Sequence, residues 1–155
     1  MINKIIISDT SCLIALERIN QLDILRQLFS SIFITKEVKT EFRKSLPDWV
    51  IIKKLQNNIK KAELQQIVDE GEASAIALAL ETKNCFLIID EKKGRKLAKD
   101  LHIKIADTLQ ILLLAKSKGI TSSLAPLLSA LEQQNFRFTA GLKEEVLKQA
   151  NEWYT

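Results

Sequence analysis

Short runs of β-branched and large apolar residues alternate along the chain with longer segments in which apolar residues recur every three or four positions. Continuous apolar runs are typical of strands buried on both faces, and the longer period is typical of amphipathic helices. This pattern predicts strands at residues 4–8, 31–35, 49–55, 85–90 and 102–107. It predicts helices at about residues 11–19, 21–30, 36–46, 55–71, 72–83, 91–101, 108–119, 122–134 and 140–153.

Strands that alternate with helices favour an α/β protein in which right-handed crossovers join a parallel sheet covered on both faces. We expect residues 1–155 to form a single domain, because a chain of this length buries a sizeable core and this one contains no linker or repeat. Gly71 is interpreted as the glycine that follows the end of the helix predicted at 55–71.

Acidic residues stand where the first and fourth strands end. If strands two and three lie on one side of strand one, and strands four and five on the other, the ligand crevice lies between strands one and four. Asp9 ends IIISD and Asp90 ends FLIID, so both carboxylates are predicted at that crevice. Glu72 begins the alanine-rich helix before strand four, on an apolar stripe with Ile76 and Ala79. The alternative is structural, with the aspartates as helix caps and the glutamate as a first-turn acid.

Further acids are candidates for the same site. Glu41 borders the apolar face of the helix after strand two, where it could equally pair with a neighbouring cation, and Glu37 competes with it for the same role. Asp107 closes strand five as an additional ligand or as a plain helix cap. Glu91, beside Asp90, either contributes to the site or simply starts the next helix.

Carboxylates that meet in one crevice cannot all stay ionised without a cation, because like charges raise each other's pKa. Oxygen ligands suit Mg²⁺ or Mn²⁺, which activate water and stabilise charge in phosphodiester hydrolysis. Other chemistries lack support, since His102 is the only histidine and there is no GxGxxG, phosphate-binding GK[ST] or paired-cysteine zinc pattern.

A basic helix follows Asp90, in the segment EKKGRKLAKDL, and the net charge of +4 permits a polyanionic partner. The cations expected nearest the crevice, and therefore able to hold an RNA backbone, are Lys92, Lys93 and Arg95. Gly94 is expected to leave room for the close approach of a phosphate or a partner. Lys96 and Lys99 are interpreted as a solvated helix face.

The remaining composition favours a cytoplasmic protein. Cys12 and Cys85 lie in apolar surroundings without metal-like spacing, as is typical of reduced, packed thiols. The first fifteen residues lack the layout of a signal peptide, and no apolar run approaches the ~18 residues that span a bilayer.

Four motifs in order, SDTSCLIAL, GEASAIALAL, LIIDEKKGRKLA and TLQILLLAKSKG, resemble the PIN domain, in the branch related to VapC-type toxins of prokaryotic toxin-antitoxin pairs. The resemblance extends over about residues 5–150. It implies a three-layer α/β/α sandwich with a central parallel sheet of five strands. It also implies Mg²⁺- or Mn²⁺-dependent cleavage of RNA, a homodimer, and an antitoxin protein that blocks the site.

By this resemblance Asp9, Glu72 and Asp90 are metal ligands and catalytic residues, and Glu41 matches the family's acid after strand two. Thr10 or Ser11 would support Asp9 by a hydrogen bond. The chain departs from the pattern at Cys12, where relatives commonly carry proline, and at Asp107, a position that is often not acidic. The fourth carboxylate therefore stays open among Glu41, Glu91 and Asp107.

Two classes of function remain. The first is a metal-dependent endoribonuclease, the toxin of a toxin-antitoxin pair. The second is a PIN-like module that binds RNA or a protein partner without cutting. The intact Asp9, Glu72 and Asp90 favour the first, because acids placed together in a crevice mark functional sites.

Overall fold

The computed structural model describes residues 4–154, and a parallel sheet lies at its centre. The strands are β1 (Ile5–Ser8), β2 (Ile32–Ile34), β3 (Val50–Ile52), β4 (Cys85–Ile88) and β5 (Ile105–Ala106). Their order is β3-β2-β1-β4-β5, and every pairing is parallel. The strand order therefore reverses between β1 and β4, as the sequence predicts.

Helices cover both faces of the sheet. They are α1 (Thr10–Arg18), α2 (Asp23–Phe29), α3 (Lys36–Phe42), α4 (Asn58–Leu64), α5 (Glu70–Leu80), α6 (Lys92–Asp100), α7 (Thr108–Ser117), α8 (Ala125–Gln133) and α9 (Ala140–Gln149). Successive strand residues face opposite sides, so Ile6 packs in one core with α1 and α7, and Ile7 packs in a second core with α5 and α6. The fold is a three-layer α/β/α sandwich, as predicted.

The start of α5 corrects one prediction from the sequence. No helix ends at Gly71, because α4 ends at Leu64 and Gly71 lies inside the first turn of α5. The Asp69 carboxylate accepts a hydrogen bond from the Glu72 amide at 2.9 Å and caps the new helix. An aspartate followed three residues later by glutamate is a helix-start pattern, and it outweighs the tendency of glycine to end a helix.

Several predicted elements are longer than those observed. The predicted strand at 49–55 is observed only as Val50–Ile52, and the one at 102–107 only as Ile105–Ala106. Both are edge strands that pair with one neighbour each, so each has a partner on only one side. Within residues 4–154, no helix is long and apolar enough to cross a membrane.

Candidate active site

A cavity of about 410 Å³ opens where β1 meets α1, beside the end of α3 and the starts of α5 and α6. Five of its lining side chains are carboxylates, namely Asp9, Glu41, Asp69, Glu72 and Glu91. The others are Thr10, Ser11, Ile14 and Arg43. The cavity lies at the carboxyl ends of the strands, the edge at which open parallel sheets bind ligands.

Asp9 is fixed by the pairing of the two central strands. Its amide donates to the Ile88 carbonyl oxygen at 2.9 Å, and its side chain is buried, with the residue 4% exposed. Although Asp9 occupies the position before α1, its carboxylate makes no capping hydrogen bond. The geometry therefore gives no support to the alternative that Asp9 serves as a helix cap.

The electrostatics of the cavity favour protonated carboxyl groups in the absence of a cation. Burial raises the pKa of Asp9 to about 8, and the charges of Glu72 and Asp69 add to this effect. Burial also raises the pKa of Glu72 to about 7, with Asp69 again contributing, while Lys93 acts in the opposite direction. A bound divalent cation would offset both the burial and the repulsion between these carboxylates, and so favour their ionised forms.

Glu72 is buried in the first turn of α5, and Gly94 makes room for it. A Cβ atom at Gly94 would lie 2.7 Å from Ile89 Cδ1 and 3.2 Å from Glu72 Oε2. The space that a side chain at Gly94 would need is thus occupied by the side chains of Ile89 and Glu72. The interpretation that this glycine admits a phosphate was wrong.

The structure separates the two glutamates of α3. Glu41 Oε1 accepts a hydrogen bond from Thr10 Oγ1 at 2.7 Å, and its carboxylate lies against Gly71, where a Cβ atom would be 1.7 Å from that oxygen. Glu37 is buried elsewhere and pairs with Lys61 Nζ at 3.2 Å. Of the two glutamates, Glu41 is the one that lines the cavity.

Asp90 and Asp107 both interact with the start of α7. Both carboxylate oxygens of Asp90 accept from Thr108, at 2.8 Å from the amide and 2.7 Å from Oγ1. Burial raises the pKa of Asp90, and the bonds from Thr108 oppose that rise. Asp107 forms a capping box with Gln110, so its carboxylate serves as the cap of α7. Its Oδ2 also lies 3.5 Å from a guanidinium nitrogen of Arg95. Neither acid is among the residues that line the cavity.

The predicted supporting residues contact acids other than Asp9. Thr10 donates to Glu41, and the buried Ser11 hydroxyl is close enough to Asp90 to lower its pKa. Lys92 and Lys93 begin α6, and Lys93 is near enough to Glu72 to lower its pKa. Arg95 donates to the Ile89 carbonyl oxygen at 2.9 Å, so its guanidinium already has a partner inside the protein.

The donor set suits a hard divalent cation, although the carboxylates do not form a closed shell. In the part of the chain that the structure describes, no three histidine, cysteine or acidic side chains lie close enough to hold a metal ion together. Mg²⁺ usually retains several waters and takes only one or two protein carboxylates, so it does not require such a shell. The buried carboxylate of Asp9, which makes no capping hydrogen bond, and the raised pKa values of Asp9 and Glu72 fit a cation at this cavity.

Two charged residues that line the cavity, Asp69 and Arg43, were not predicted from the sequence. Asp69 caps α5, and the spacing of Asp69 to Glu72 could have revealed it. Arg43 follows α3 with left-handed backbone geometry, and the sequence carries no signal for that conformation.

The fold and the cavity define a parallel α/β protein with an acidic site where the strand order reverses. A family model, DUF3368, described as a PIN domain, matches residues 5–152. The chain therefore belongs to the PIN-domain family. No curated protein and no solved structure gives a significant match.

Proposed function

We propose that the protein is a metal-dependent endoribonuclease in which Asp9, Glu72 and Asp90 hold Mg²⁺ or Mn²⁺. The observation that carries the proposal is the burial of Asp9 in a carboxylate-lined cavity without a capping hydrogen bond. Membership of the PIN-domain family supports it, because the family implies nuclease chemistry. For the fourth carboxylate we favour Glu41 over Asp107, since Asp107 caps α7.

The chain's own residues orient the proposed ligands. Thr10 Oγ1 donates to Glu41 and fixes that carboxylate at the cavity, and Thr108 holds both oxygens of Asp90. A bound cation would lower the pKa of a coordinated water and stabilise negative charge on the phosphate. Lys92 and Lys93, in the first turn of α6, would hold the RNA backbone, with Arg95 contributing only if it leaves its internal partner.

We further propose that this ribonuclease is the toxin of a toxin-antitoxin pair, acting in the cytoplasm as a homodimer whose site an antitoxin protein blocks. The likeness of the four sequence motifs to VapC-type toxins supports this proposal. A gene for a small DNA-binding protein immediately beside this one, whose product binds this chain and stops its activity, is the expected result. A neighbouring protein that binds without affecting activity would contradict the toxin assignment.

The activity is tested with purified protein on single-stranded RNA. We expect cleavage with Mg²⁺ or Mn²⁺, no cleavage with EDTA, and a loss of at least ~10²-fold in each of Asp9→Asn and Asp90→Asn, as is typical when one strong electrostatic group is removed. Asp48→Asn, an exposed acid outside the cavity, is the control and should retain full activity.

Unchanged activity in both site variants would remove the metal-site proposal. RNA binding by the wild type without cleavage would favour the alternative, a PIN-like binding module.

A further inference from the structure

Among the described residues 4–154, Arg43 is the one cationic side chain that lines the carboxylate cavity. It is exposed, and within residues 4–154 its guanidinium forms no salt bridge. Its neighbour Lys44 points to a different partner, Glu17, with 2.9 Å between Nζ and Oε1. The cavity therefore presents a free guanidinium beside its acids.

The backbone at Arg43 is in a conformation that arginine disfavours. α3 ends at Phe42, and Arg43 follows with φ 63° and ψ 4°, in the left-handed region. Glycine and asparagine adopt this region most readily. Of the seven non-glycine residues with positive φ in the described chain, four are asparagine: Asn20, Asn84, Asn135 and Asn151. Arginine at this position therefore costs backbone energy that glycine would not cost.

We propose that Arg43 is a substrate-binding residue, whose guanidinium holds a phosphate of the RNA strand at the rim of the carboxylate cavity. This inference rests on the proposed ribonuclease function. A guanidinium binds phosphate through two parallel N–H donors, and it stays charged at every working pH. The carboxylates repel the RNA backbone, so a cation at their rim gives the approaching phosphate a place to bind beside the site.

The proposal separates binding from stability. Arg43→Gly removes the cation, so it should weaken RNA binding. It also places glycine where the backbone is left-handed, at a lower energetic cost than arginine, so it should raise the melting temperature. We expect binding to weaken by about 10- to 100-fold, as for a lost charge-assisted contact. We expect the melting temperature to rise by about 2–4 °C.

The experiment measures the affinity for a single-stranded RNA at several salt concentrations on an inactive Asp90→Asn background, with kcat/KM measured in the active chain. Arg43→Gly should flatten the slope of log K against log salt by about 0.7, the value for one phosphate contact with a single strand. Arg43→Lys should retain that slope with part of the affinity lost. Lys44→Gln, which removes the adjacent cation, should leave the slope and kcat/KM unchanged.

The outcomes distinguish this inference from the proposed function. A wild type that cleaves RNA, with an unchanged slope and kcat/KM in Arg43→Gly, would overturn the Arg43 assignment alone. A wild type that neither binds nor cleaves RNA would overturn both.

Discussion

At Asp9 the fold holds a carboxyl group in surroundings that favour its protonated form. Its pKa is about 8 in the folded chain, raised mainly by burial, against an ordinary value of 3.8. The folded state therefore binds this proton more tightly than the unfolded state does. The resulting stability is fully present below about pH 4 and is lost as the pH rises towards about 8.

In EDTA, the free energy of unfolding should therefore fall between pH 5 and pH 8. The fall should be smaller in Asp9→Asn, which cannot ionise. Urea denaturation across this range checks both curves. Parallel curves for the wild type and Asp9→Asn would contradict the raised pKa of Asp9.

Mn²⁺ should reverse this loss, raising the melting temperature more at pH 8 than at pH 5, because metal and protons compete for the same carboxylates. A hundredfold excess over Kd stabilises by roughly 2.7 kcal/mol. The double variant Asp9→Asn with Glu72→Gln should show no response. If it responds like the wild type, the ion binds elsewhere.

At the scale of the element, α5 joins the core to the cavity. Its residues from Gly71 to Ala79 are all buried, so the helix is fixed against the sheet and positions Glu72. Gly71 and Gly141 occupy the second position of α5 and α9 respectively, and they differ in what surrounds them. Glu41 lies against Gly71, whereas nothing lies within 4 Å of a Cβ atom at Gly141.

Gly71→Ala should lower ribonuclease activity by about 10- to 100-fold, because a methyl group displaces the Glu41 carboxylate and breaks its hydrogen bond with Thr10. Stability should change little, since Glu41 is exposed and its side chain can turn towards solvent once the hydrogen bond with Thr10 is broken. Gly141→Ala, the matched control, should raise stability by about 0.5–1 kcal/mol and leave activity unchanged. Full activity in Gly71→Ala would show that the position of Glu41 does not matter. Cleavage assays and thermal denaturation of both variants provide the comparison.

At the scale of the whole molecule, Glu152 ties the end of the chain to α7 and α8. Burial opposes its ionisation, but hydrogen bonds from Lys116, Ser123 and the amides of Leu124 and Ala125 outweigh that effect and lower its pKa to about 2. Glu152 thus holds the backbone at the start of α8 in place, and its carboxylate lies outside the cavity. The stability it contributes is present above its ordinary pKa of 4.5 and is lost as the pH falls through about 2.

Glu152→Gln should destabilise the fold by about 1–3 kcal/mol at neutral pH, since a neutral amide leaves charge-assisted donors poorly satisfied. The difference from the wild type should shrink as the pH is lowered from about 4.5 to about 2. Glu144→Gln, which removes an exposed pair with Lys148, should cost no more than ~0.5 kcal/mol. Denaturant titrations at several pH values measure these differences. An equal effect of the two substitutions would mean that Glu152 makes no special contribution.

The order of apolar and polar residues was enough to predict the parallel sheet and the positions of Asp9 and Asp90 after two of its strands. Buried apolar runs and helical periodicity are local properties, and right-handed crossovers then leave few strand orders. Asp9 and Asp90 accordingly follow neighbouring strands, β1 and β4. Element ends were less predictable, as Gly71 shows, because the Asp69 side chain competes with glycine over where a helix begins.

Only the tertiary structure decided which side chains share the cavity. Glu41 lies beside Asp9 because α3 packs against α5 at Gly71, and this contact joins residues 30 positions apart. Glu37, only one helical turn away, is drawn instead to Lys61. Asp107 turns to its own helix, while Asp90 bonds to Thr108. Periodicity places a residue on a face of its helix, but the charge that it meets there comes from a distant segment, whose position depends on packing.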